Sequence, residues 1–128
     1  MVVPLPVLDQ SGAVVHTMHG ATFTSYVRPE LGSTELCAWR LELPVGSTGV
    51  AHTVSREEIL LVLAGTLRTH LDGQTADAAA GEVVRVPAGS TFAADNAGSE
   101  PVSAWVTTSV GLEAVLADGT RISPPWTR

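Results

Sequence analysis

A chain of 128 residues, 45% apolar and 16% charged, has the length and composition of one globular domain with a real core, not of a disordered segment. Its formal charge of −6 and its lack of any basic cluster exclude a binder of nucleic-acid phosphates, which needs grouped cations. All seven cations are arginines, a composition that points to a GC-rich, bacterial source.

From the N-terminus, residues 1–6 carry no cation and two prolines break their apolar run, so no secretion signal is expected. No window reaches the roughly 18 apolar residues that a membrane helix requires, and no membrane partner is expected. Short apolar runs then alternate with Gly, Pro, Asp and Ser at intervals of roughly 8–12 residues, as in all-β sandwiches and barrels. Strands are predicted over 14–16, 21–27, 35–43, 52–54, 59–64, 66–71, 74–78, 82–86, 91–94, 102–108, 112–116 and 121–122. His16 and His19 lie in an extended stretch, where odd spacing sends two side chains to opposite faces, so they are not read as a metal pair. Cys37 is the single cysteine, which rules out an internal disulfide, fits a reducing cytoplasm, and in an apolar strand reads as a buried, inert thiol. The run Ile59-Leu60-Leu61-Val62-Leu63 is apolar on every side and short, the pattern of a buried strand rather than a helix. Asp72-Gly73 and Asp118-Gly119 are two-residue hairpin signals, and Pro87-Ala88-Gly89 ends one strand before the next begins. Pro124-Pro125-Trp126 reads as a C-terminal strap whose indole packs on the barrel or on a partner subunit. No linker divides the chain, so residues 1–128 are taken as a single domain.

Two spaced patterns are superimposed on these strands. Gly46, His52, Val54, Glu58 and Gly65 form one, spanning 46–65; Gly81, Pro87, Gly89, Phe92 and Asn96 form the other, spanning 81–96. Together they resemble the paired motifs of the cupin superfamily, G-x5-H-x-H-x3,4-E-x6-G and G-x5-P-x-G-x2-H-x3-N. Every framework position matches, while Val54 and Phe92 stand where the family has histidines. The resemblance implies a jelly-roll barrel of two antiparallel sheets, often homodimeric, with a small-molecule or metal site in its lumen. A homodimer is expected here also because pairing covers exposed strand edges.

The resemblance carries over His52 and Glu58 as metal ligands and leaves the ligand set incomplete. Catalytic zinc normally has three protein ligands and non-haem iron a facial triad. The cofactor expectation is accordingly none, or one divalent transition metal among Zn, Mn, Fe, Ni and Cu. Strand alternation puts His52 and Val54 on one face, the cupin register adds Glu58, and Glu57 has the opposite parity. Val54 and Phe92 make the remaining corners apolar, so His52 and Glu58 read as a catalytic acid–base pair for isomerase- or lyase-type chemistry on a small metabolite. The alternative is a metal-free, non-catalytic binder or sensor. Val54, Phe92, Trp39, Trp105 and Arg40 are the substrate-binding candidates, with Arg40 available to clamp a carboxylate if its strand face lines the pocket. Arg56 is expected to be exposed, and Asn96 to hydrogen-bond a turn.

Overall fold

Alternation of apolar and polar side chains along short segments dictates two-sided strands, and the computed structural model, which describes residues 6–128, is built from them. The expectation of no secretion signal falls largely on residues 1–5, outside the described residues. The strands are β1 (Val14–Met18), β2 (Ala21–Val27), β3 (Leu36–Leu43), β4 (His52–Val54), β5 (Glu58–Ala64), β6 (Thr66–Leu71), β7 (Gln74–Ala79), β8 (Val83–Val86), β9 (Thr91–Asp95), β10 (Val102–Ser109), β11 (Ala114–Leu116) and β12 (Arg121–Ile122). Apart from these, the regular structure among the described residues is three 3₁₀ turns, and no helix is long and apolar enough to cross a membrane.

The strands form two six-stranded antiparallel sheets, ordered β1-β2-β3-β10-β5-β8 and β12-β11-β4-β9-β6-β7, the jelly-roll arrangement that the motifs imply. Between them lies one core. The first sheet contributes Trp39, Leu41, Leu43, Leu60, Val62 and Val106, and the second contributes Val54, Leu67 and Phe92. Parity accounts for the sorting: in β3, the inward Trp39, Leu41 and Leu43 leave Arg40 and Glu42 outside.

Each predicted strand has a counterpart, its ends coinciding or shifted by at most two residues. One shift matters: β5 begins at Glu58, which pairs with both Val86 and Thr108 and so belongs to the ladder. β1 runs on to Met18 because His19-Gly20 makes a tight two-residue turn, with φ of 51° and 79°, that returns the chain at Ala21. His19 therefore sits at a hairpin tip and not in the extended stretch expected of it. Positive φ at both positions matches the right-handed twist of the flanking strands. Asp72-Gly73 makes the predicted hairpin, with φ of 49° and 84°. Asp118-Gly119 turns the chain within a wider loop, because the Gly119 N–H closes on the Leu116 carbonyl and the Asp118 side chain caps the Thr120 N–H.

The C-terminal strap folds back onto the barrel. Trp126 is buried and stacks on Phe23, with ring centroids 3.7 Å apart and planes 9° from parallel. Its carbonyl accepts a 2.7 Å hydrogen bond from Ser25 Oγ, and the Thr127 carbonyl accepts from Cys37 Sγ at 3.4 Å. Burial pushes the Cys37 thiol up, so it stays protonated and inert as the sequence implied.

Candidate functional site: a lumen with one unpartnered carboxyl

A cavity of about 170 Å³ opens between the sheets. An apolar cavity of about 150 Å³ suffices for benzene, so this one accommodates a compact group of that order. Its walls include Phe23, Trp39, Phe92 and Trp126, and its rim includes the loop Ser47 to Val50 and the turn residue His19.

Val54 and Phe92 are almost fully buried in the wall, where they replace polar surface with apolar surface. His52 lies beside Phe92 across the β4–β9 pairing, its ring edge-on to the phenyl at 6.4 Å. Its Nδ1 donates to the Val50 carbonyl at 3.0 Å. A carbonyl only accepts, so this bond places the ring proton on Nδ1 and leaves Nε2 of the neutral ring as the acceptor.

Glu58 projects inward with the parity of Leu60 and Val62, and its residue is 7% exposed. Its carboxyl takes no hydrogen bond and makes no ion pair with any described residue. Burial alone pushes it up to about 7, because leaving water penalises the charged form. His52 and Glu58 thus share the cavity without bonding to each other; each presents its polar atoms separately.

The two sites that strand parity puts elsewhere are Arg40 and Trp105. Arg40 is on the outer face of the first sheet, where its Nε donates to Ser103 Oγ at 3.0 Å and lies 3.5 Å from Glu42. Trp105 is directly opposite Arg40 in register and shares that outer face, packed 5.6 Å from Tyr26. Neither reaches the cavity, so the carboxylate clamp does not form. Glu57 also faces out, accepting from Arg85 Nη1 at 3.1 Å, and Arg56 is exposed as expected. His16 is separated from His19; its ring lies 6.3 Å from that of Trp126.

Asn96 staples the turn that closes the second motif, its Nδ2 donating to the Leu43 and Glu100 carbonyls and its Oδ1 accepting from Gly98 N–H. Its backbone also exchanges hydrogen bonds with Gly46 and Ser47, tying the rim loop to β9. Asp95 Oδ1 accepts from Gly49 N–H at 2.8 Å while Oδ2 meets His70 Nε2 at 2.6 Å. The Gly49 bond, with the His70 imidazole alongside, holds the Asp95 carboxyl below the usual carboxylate range. Glycine is required at position 49, since a Cβ there would collide with the Ala94 backbone carbonyl.

Sequence reasoning missed Phe23, His19 and the rim loop. The parity of β2, with Ala21 and Ser25 buried, carried the signal for Phe23, and His19-Gly20 carried a turn signal. Nothing local marks the 47–50 segment as a rim. Trp126 was visible only as a strap; its indole N–H is buried without an acceptor among the described residues.

The donor set does not suit a metal. Among the described residues no three His, Cys, Asp or Glu side chains come together to hold an ion, and the positions that would complete the set are Val54 and Phe92. Two protein ligands fall short of the three or more that transition-metal sites normally use.

The model of the cupin domain family matches residues 39–109, more than half of the chain, and the protein belongs to that family. Solved structures similar to it include the polyketide cyclase RemF from Streptomyces resistomycificus, with a TM-score of 0.74, 14% identity, and coverage of 83% of this chain and 80% of that one. A predicted oxalate decarboxylase from Thermotoga maritima aligns with a TM-score of 0.70 and 19% identity over 80% of this chain and 97% of its own. The cupin domain of Cnp3 from Schizosaccharomyces pombe aligns with a TM-score of 0.68 and 18% identity over 79% and 71%. At these identities the likeness is one of fold. None of the curated proteins compared with the chain matches it.

Proposed function

We propose that the lumen binds a small, largely apolar organic molecule and that Glu58 exchanges a proton with it, in isomerase- or lyase-type acid–base chemistry. The observation that carries this reading is the Glu58 carboxyl: buried, without a partner among the described residues, on the wall of an open cavity, and titrating near neutrality. A general acid–base works best when its pKa lies close to the operating pH, because both protonation states are then populated. His52 Nε2 supplies an acceptor for a hydroxyl or enol from the same cavity wall, and the aromatic side chains take the apolar body. Neighbours of the same fold named as a cyclase and a predicted decarboxylase are compatible with chemistry on small organic molecules in such a lumen.

The second reading is a non-catalytic binder. It is favoured by the lack of a direct bond between His52 and Glu58, which leaves neither group oriented by the other. A thermal-shift screen of small organic compounds, followed by product analysis of each hit, separates the two. Ligand at 100 times its dissociation constant raises stability by about 2.7 kcal/mol, well within detection. A hit converted by the wild type and merely bound by Glu58→Gln supports acid–base catalysis. Recovery of every hit intact supports the binder, and turnover undiminished by Glu58→Gln removes Glu58 from the chemistry.

A further inference from the structure

The charge balance of the cavity narrows what it accepts. Arg, Lys and Asp are absent from its wall among the described residues; the titratable groups that line it besides Glu58 are His52 on β4 and His19 at the β1–β2 turn. Across the strand ladders Glu58 is flanked by Val86 and Thr108, neither of which carries charge. An anionic ligand would meet a second negative charge with no cation to offset it. A neutral ligand would leave the ionised form of the carboxyl without a counter-charge.

Four aromatic rings, those of Trp39, Phe92 and the mutually stacked pair Phe23 and Trp126, line the same space. Aromatic faces attract cations, most effectively those whose positive charge is spread over methyl groups and is weakly hydrated, since these lose little on leaving water. The roughly benzene-sized volume is also the volume of one such group. With the chain at −6, the field around the molecule draws cations toward it.

We infer that the lumen takes a poorly hydrated organic cation, of the quaternary ammonium or sulfonium class, seated among the aromatic rings with Glu58 as its counter-ion. This rests on the reading of the lumen as a ligand site.

Three probes of one shape and different charge test it: choline, its neutral carbon isostere 3,3-dimethylbutan-1-ol, and the anion 3,3-dimethylbutanoate. Isothermal titration calorimetry at pH 8 reads the three affinities. Choline is expected to bind at least tenfold more tightly than the alcohol, with no measurable binding of the acid. In Glu58→Gln, choline falls to the level of the alcohol while binding of the alcohol persists. Equal or tighter binding of the alcohol by the wild type at pH 8, or a choline preference that survives in Glu58→Gln, overturns the cation and leaves the lumen reading standing. Failure of all three probes to bind overturns that reading as well.

Discussion

Glu58 gives the folded protein a pH dependence that can be measured before any ligand is known. Its carboxyl titrates at about 7 in the native barrel and near 4.5 when the chain is open to water. The folded state therefore holds the proton more tightly. The stability associated with neutral Glu58 is fully present below about 4.5, declines as pH rises, and is lost once pH has passed about 7. At about 1.4 kcal/mol per pH unit of displacement the whole effect is on the order of 3 kcal/mol, most of which falls between pH 5 and pH 8.5. Glu58→Gln keeps the neutral shape at every pH, so the difference between variant and wild type isolates this one group. Unfolding entropy of about 2.1 cal/mol/K per residue, or about 0.27 kcal/mol/K for a chain of this length, turns an effect of that order into roughly 10 °C. Scanning calorimetry should find the variant's Tm advantage larger by about that amount at pH 8.5 than at pH 5. A Tm difference that stays constant across this range would refute the claim that Glu58 is buried and unpaired.

Three further expectations concern the walls and rim. Trp126→Ala removes the ring stacked on Phe23 and opens one wall of the cavity; urea unfolding should show a loss of about 3–5 kcal/mol, and a loss below about 1 kcal/mol would mean that the strap does not seal the barrel. Gly49→Ala drives a Cβ into the Ala94 backbone and must displace the rim loop from β9, with an expected loss of about 1–3 kcal/mol in the same measurement; an unchanged midpoint would refute that close approach. The Cys37 thiol, fully buried and held protonated, should react with a disulfide reagent only when denaturant is present, and labelling in native buffer at the rate of a free thiol would contradict its position.

Strand periodicity and turn chemistry made most of the architecture legible. The alternation along β3, the Asp72-Gly73 hairpin and the spacing of Gly46, Glu58, Gly81 and Asn96 are local signals, because a strand's two faces and a turn's positive φ are written residue by residue. The same spacing located His52, Val54, Glu58 and Phe92 in the lumen. Sheet order, by contrast, sets which strand lies beside which. Only the pairing of β10 with β3 puts Trp105 next to Arg40 on the outside, and only the return of the C-terminus across β2 brings Trp126 against Phe23. Nor does any local pattern reveal that Glu58 lacks a partner among the described residues. A carboxyl's protonation depends on everything packed around it from distant parts of the chain, and that surrounding exists only once the two sheets have closed.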